Sequence, residues 1–363
     1  MFSSIIVITQ LFFTVITGLY FLGQLRNQRE DKSGINEDSR HVMERLNAMR
    51  RISLTKPLTE ETRPSTLDEI IGQENGVEAL KIALCGKNPQ HVIIYGPPGV
   101  GKTAASRVAM EFAKKSLGTP FKKDAKFIEV DATIMQYDER SVADPLIGSV
   151  HDPIYQGSGA FGANGIPQPK PGAVTKAQGG ILFLDEIGEL PNEQLNKLLK
   201  VLEDRRVTLE SSYYNSSDKK LPIYIREAFE MGLPADFRLI GATTAPPSKI
   251  PEAVRTRCVE VYFNALTRAE VMRIIINSAA NCGIAMENGV REIIADYATN
   301  GRDAVKIMQS ASNLARMEGR CIITLSDAKW VIKAGRYEKR SEPCLKDDEK
   351  IVDITIVKPY GLY

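Results

Sequence analysis

The sequence predicts an α/β fold, a parallel sheet with helices on both faces, followed by a small all-helical domain and preceded by a transmembrane helix. Three observations carry that expectation. Gly96-Pro97-Pro98-Gly99-Val100-Gly101-Lys102-Thr103 fits the pattern G-x-x-x-x-G-K-[ST] and lies between a β-branched run at 91–95 and a helix-forming stretch at 104–117. About eighty residues later, Ile181-Leu182-Phe183-Leu184-Asp185-Glu186 is an apolar strand ending in two carboxylates, a spacing that leaves room for one more strand and a crossover. Thr267-Arg268-Ala269-Glu270 is a capping box, and from there to about residue 335 the pattern is helical.

Composition allows this. With 363 residues, 43% of them hydrophobic, the chain can bury the cores of about two domains without disulfides. The five cysteines and three histidines are scattered, with no zinc spacing and no nucleophile–base pair. A net charge of only +2 gives no overall electrostatic footprint for nucleic acid, and no nucleic-acid partner is expected.

Residues 2–25 carry no charge and are long enough to cross roughly 30 Å of hydrocarbon as a helix. No positive charge precedes the run and no small-residue cleavage site comes after it, so a signal anchor fits better than a cleaved signal peptide. Arg26, Arg29 and Lys32 behind it favour a cytoplasmic location for the rest of the chain. The expected organisation is an anchor at 1–26, a polar stalk at 27–60, an α/β nucleotide-binding domain at 61–264, a helical lid at 265–335 and, at 336–363, a linker with the truncated start of a further domain. An amphipathic helix with Val77, Leu80, Ile82 and Leu84 leads into the first strand.

The phosphate loop, made of Gly96, Pro97, Pro98, Gly99, Val100 and Gly101, lets the backbone N–H groups of its non-proline residues converge on nucleotide phosphates. Lys102 reaches the β- and γ-phosphates, and the Thr103 hydroxyl ligates Mg²⁺. A second core strand is expected at 127–131. The Gly- and Pro-rich region 144–180 reads as a long loop system, a kind of segment that compact domains keep for a purpose. Within it Tyr155 and Phe161 stand among small, flexible residues. Because strand neighbours point to opposite sides, Asp185 is expected to face Mg²⁺ and Glu186 to polarise a water. A helix with Leu195, Leu198, Leu199 and Leu202 on one face comes next. The strand 238–244 ends in Thr243 and Thr244, either of which could hold that water. Arg255 and Arg257 stand in a short helix-and-turn before the strand 259–263, where a guanidinium could serve phosphoryl transfer. Near the end, 351–357 alternates as a strand without a visible partner.

Assembled, these motifs resemble an AAA+ ATPase, and more narrowly the membrane-anchored B-type Lon proteases of spore-forming bacteria. The stretches that carry the resemblance are Asn88-Pro89-Gln90-His91-Val92-Ile93-Ile94-Tyr95-Gly96-Pro97-Pro98-Gly99, Asp144-Pro145-Leu146-Ile147-Gly148-Ser149-Val150-His151-Asp152-Pro153, Pro171-Gly172-Ala173-Val174 and Leu182-Phe183-Leu184-Asp185-Glu186-Ile187-Gly188-Glu189-Leu190, the second and third being the most diagnostic. The resemblance implies ATP and Mg²⁺ as cofactors, with Lys102 and Thr103 as the Walker A pair and Asp185 and Glu186 as the Walker B pair. It implies Thr244 as sensor 1, with Thr243 the alternative, Arg257 as an arginine finger acting on a neighbour, and Arg302 as sensor 2. A finger acting in trans implies a homo-oligomeric ring, usually a hexamer. Tyr155 and Phe161 would line its axial pore and grip unfolded protein substrates. In that family a Ser–Lys peptidase domain comes after the lid, which makes the truncated domain at 336–363 a peptidase, and these residues end where it would begin. The expectation is therefore a fragment of a longer protease or a motor without one.

Gly159-Ala160-Phe161-Gly162-Ala163 also resembles the loop of transcription activators that remodel a sigma factor. That loop's threonine is missing here, and no helix-turn-helix is visible. A Holliday-junction type of ring helicase has still less support, because no DNA-binding module is visible and the net charge is near zero.

Overall fold

The computed structural model describes residues 17, 42–52, 54–134, 144–151, 167–211, 214–216 and 221–340. The chain divides into two units, residues 1–57 and residues 58–363. In the first, residues 42–51 form a helix whose Val42, Leu46 and Met49 are all exposed. Among the described residues no helix is long and apolar enough to cross a membrane. The expected anchor lies outside them except for Thr17, as does the strand expected at 351–357.

The second unit is built on a five-stranded parallel sheet. Its strands are β1 (His91–Tyr95), β2 (Phe127–Asp131), β3 (Ile181–Asp185), β4 (Arg238–Thr243) and β5 (Cys258–Tyr262), in the order β2-β3-β4-β1-β5. A parallel sheet needs crossovers that cover both faces, so its inner strands can be apolar throughout. In β3 and β1 four of the five residues are buried. Period-two alternation sends Ile94, Phe183 and Ile240 into one core and Ile93, Leu184 and Leu239 into the other.

The first core is closed by helices α1 (Glu74–Leu84) and α2 (Lys102–Lys115). Val77, Leu80 and Leu84 of α1 are buried, but Ile82 is 75% exposed: a step of two residues from Leu80 turns it about 200° round the helix. The second core is closed by α3 (Asn192–Asp204), where Leu195 and Leu198 are buried and Leu199 and Leu202 are half-buried.

The region expected as loop carries more structure than that. Gly148–His151 and Gln168–Pro171 pair as an antiparallel ribbon, and Ala173–Lys176 is a helical turn. Pro169 and Pro171 hide the second strand from propensity reasoning, yet an edge ribbon tolerates them. Residues 152–166, with Tyr155 and Phe161, lie outside the described residues.

The lid comprises α4 (Arg268–Cys282), α5 (Val290–Tyr297), α6 (Gly301–Met317) and α7 (Leu325–Ala334). The Thr267 capping box opens α4 as expected, and Gly283, left-handed at φ 62°, ends it. Val271, Ile275, Ile294 and Met308 join the same core as α1, α2 and one sheet face. That shared core fixes the lid beside the phosphate loop.

Candidate functional site

The phosphate loop leaves β1 at Tyr95 and enters α2 at Lys102. Gly101 caps α2 at φ 99° and Gly99 turns at φ 73°, a region that residues with a β-carbon rarely enter. At Gly99 an added β-carbon would also stand 2.5 Å from Asn300 Oδ1 of the lid. Val100 is buried and anchors the loop in the first core. Gly96, Pro97, Pro98, Gly99 and Gly101 stay accessible, and Thr103 is half-buried in the first turn of α2.

Lys102 is a buried cation, only 7% exposed. Its Nζ donates to Gly96 O at 2.6 Å and to Pro97 O at 3.0 Å, which curls the side chain over its own loop. Burial pushes the ammonium below its usual range, the Glu186 and Asp185 carboxylates oppose that, and Arg302 reinforces it. Burial also raises Asp185, the Glu186 charge adds to the rise, and Lys102 works against it. These four charges, from loop, β3 and lid, therefore share one site.

Asp185 ends β3 opposite Asp131 of β2. The strand alternation stops there. Glu186 turns left-handed, at φ 52° and ψ 50°, instead of continuing to the far side as the pattern predicted. Its Oε2 accepts the Thr244 N–H at 2.9 Å and the Thr244 hydroxyl at 3.0 Å. Thr243 is fully buried, its hydroxyl is 3.5 Å from the same oxygen, and it accepts the Ala245 N–H at 3.0 Å. Of the two threonines, Thr244 is the one turned outward with its hydroxyl on Glu186.

Arg302 lies in the first turn of α6, directly after Asn300 and Gly301. Asn300 caps that helix by accepting the Asp303 N–H at 2.9 Å. Arg257 stands apart from these residues, beside the start of β5 at the opposite end of the sheet. Its guanidinium pairs with Glu203 of α3 and donates to Ala253 O at 2.8 Å. It lines a cleft of about 540 Å³ along the N-terminal ends of β1, β4 and β5.

Sequence reasoning missed Gln73, which is 3% exposed. Its amide donates to Asn264 O at 2.8 Å and accepts the Asn264 N–H at 2.9 Å, so it clamps the start of α1 to the connection into the lid. A lone glutamine before a helix carries no periodic signal. The contact of Asn300 with Gly99 depends on tertiary packing, which no local pattern signals.

The protein-family model for magnesium chelatase, subunit ChlI, matches residues 66–277. The chain belongs to that family. Within the magnesium chelatase ChlI family match lie the phosphate loop, both carboxylates, Thr244 and Arg257, while Arg302 lies beyond it. Over 359 residues the chain is 50% identical to "Lon protease 2" of Bacillus subtilis, covering 99% of this chain and 65% of that protein. It is 25% identical over 347 residues to "Uncharacterized protein YifB" of Salmonella typhimurium, covering 88% of this chain and 61% of that one. The chain thus spans just under two thirds of the length of these relatives.

Among solved structures, RuvB of Thermotoga maritima superposes with a TM-score of 0.51 at 20% identity, covering 75% of this chain and 73% of that one. NtrX from Brucella abortus superposes with a TM-score of 0.51 at 17% identity, covering 86% and 62%. The fold is the α/β P-loop AAA+ fold with five parallel strands. ATP and Mg²⁺ are the cofactors this fold and family imply, and the residues present fit them. A buried ammonium at a glycine-turned loop suits a triphosphate, and the Asp185 carboxylate, within electrostatic reach of Lys102, suits a hard, oxygen-seeking cation.

Proposed function

We propose that this chain is the ATP-hydrolysing motor of a Lon-type protease, tethered to the membrane with its ATPase domain facing the cytoplasm. The observation that carries the reading is the Glu186 carboxylate, presented by Thr244 at the mouth of the sheet within electrostatic reach of the buried Lys102. The 50% identity to a Lon protease over nearly the whole chain supports the assignment to that class.

In this mechanism the loop N–H groups and Lys102 bind the phosphates of ATP. Thr103 and Asp185 are the residues that would hold Mg²⁺, which supplies positive charge against the phosphate oxygens. Glu186 accepts a proton from a water whose oxygen attacks the γ-phosphorus. The bond from that phosphorus to the bridging oxygen breaks, and ADP and phosphate leave. Thr244 holds Glu186 in line, and Arg302 adds charge from the lid. Arg257 cannot serve its own subunit's site, since it lies at the far end of the sheet. It serves a neighbour's, and the working unit is a ring, taken as a hexamer. Tyr155 and Phe161 grip unfolded polypeptide in its pore, and proteolysis belongs to the longer protein.

Glu186→Gln keeps the hydrogen bonds to Thr244 but cannot take the proton. It should bind ATP with unchanged affinity and turn over at least about a hundredfold more slowly. Near-normal turnover in that variant would contradict the assignment.

A further inference from the structure

Left-handed backbone crowds a β-carbon against the following carbonyl, so a non-glycine residue found there needs a reason. Three are found among the described residues: Glu186, Arg205 and Arg336. Glu186 has its reason in the hydrolytic site. Arg205 caps the end of α3 at φ 54° and ψ 27°, a place where glycine or asparagine fits without strain. The conformation is imposed from both sides. The Arg205 N–H donates to Val201 O at 2.8 Å, its carbonyl accepts the Ala235 N–H at 3.0 Å, and Arg206–Val207 pair with Leu233–Pro234. The backbone thus demands a left-handed residue, and the chain supplies an arginine.

Its side chain lines the cleft that also holds Arg238 and Arg257. The three guanidinium groups are differently committed. Arg238 is tied to the fold, donating to Pro89 O at 2.7 Å, Phe237 O at 3.0 Å and Asp236 Oδ1 at 3.1 Å. Arg257 is held by Glu203 and Ala253 O. Arg205 stands 4.0 Å from Asp236 Oδ2, the outer limit of an ion pair, on a carboxylate that Arg238 already engages, and its side chain is 65% exposed. Glu203 and Arg205 sit two residues apart on one helix end. Whatever docks against Arg257 therefore meets Arg205, and the arginines facing it outnumber the carboxylates.

We propose that Arg205 is a second arginine delivered in trans, contacting the triphosphate in a neighbouring copy's phosphate loop beside Arg257. The inference rests on the reading of Arg257 as a residue that completes a neighbour's site. Planar, five-donor guanidinium groups suit phosphate oxygens, and a surface pair as loose as that with Asp236 is exchanged for a phosphate at little cost.

Arg205→Gly in the full chain tests it, because glycine removes the side chain and relieves the backbone. The expected result is a melting temperature equal to or above that of the parent, weaker ATP affinity in the ring and turnover lower on the order of tenfold. Mixing Arg205→Gly with Glu186→Gln should restore turnover above the sum of the two alone. In mixed rings an intact hydrolytic site then faces an intact arginine pair. Parental turnover in Arg205→Gly, or a loss that mixing leaves unrestored, would overturn the inference while leaving the ATPase reading intact. If instead Arg257→Ala turned over like the parent, the reading beneath it would fall, and this inference with it.

Discussion

The Glu186 carboxylate owes its place to one backbone choice. Turning left-handed after β3 brings it onto Thr244, two strand ends being joined by a side chain rather than by the sheet. Thr244→Val keeps the backbone donor and removes the hydroxyl, so turnover should fall about tenfold with little change in ATP affinity, measured by steady-state hydrolysis and equilibrium binding. His91 gives a residue-scale prediction of another kind. Burial, aided by Arg238, lowers its pKa from 6.5 to about 4, and its Nδ1 accepts the Leu239 N–H at 3.0 Å. The folded protein therefore keeps it neutral where the unfolded chain binds a proton. Stability is unaffected above pH 6.5 and falls as pH drops towards 4, by up to about 3 kcal/mol for this group. Chemical denaturation of His91→Asn across that window should show a shallower slope than the parent. Lys102, Thr103, Asp185 and Glu186 were legible in the sequence because their motifs encode backbone geometry and chemistry together. The Glu186–Thr244 contact was not, since it joins residues far apart in the chain and depends on a dihedral that no alternation pattern signals.

At the scale of elements, the lid shares a core with the phosphate loop's anchor Val100, and a close approach of Gly99 and Asn300 joins the two at the loop itself. Gly99 leaves room for Asn300, and Asn300 in turn caps α6, the helix that carries Arg302. Gly99→Ala adds a β-carbon at a positive φ and against that side chain, so it should cost about 1–2 kcal/mol of stability and weaken ATP binding. Unchanged affinity in that variant would separate the lid from the site. The far end of the lid is fixed by Asp327, 3% exposed, which takes two bonds from Arg320 at 2.7 and 2.8 Å and closes the Thr324 capping box of α7. The Arg320 hydrogen bonds hold its carboxyl well below the usual carboxylate range. Asp327→Ala uncaps a helix and removes one of the partners of Arg320, which keeps Glu318 and Ile322 O, a loss on the order of 1–2 kcal/mol by thermal unfolding. The strands and long helices of this unit were legible because their apolar periods are unbroken, and the capping box marked the start of α4 directly. The ribbon at 148–171 was hidden by its glycines and prolines, and the outward face of Ile82 by the neighbouring apolar residues of α1.

For the whole molecule, the decisive fact is that Arg257 and the phosphate loop lie at opposite ends of one sheet. A subunit so built cannot place its own guanidinium on its own γ-phosphate, whereas a ring of copies can place each on the next. Arg257→Ala should therefore keep ATP affinity and lose on the order of a thousandfold in turnover. The most direct measurement is ATP turnover per subunit as the full chain is diluted from ring to monomer, with the assembly state tracked by mass in the same samples. Turnover per subunit that collapses as rings dissociate, and that Arg257→Ala lacks at every concentration, is the predicted result. Turnover per subunit that stays constant down to the monomer would contradict the account.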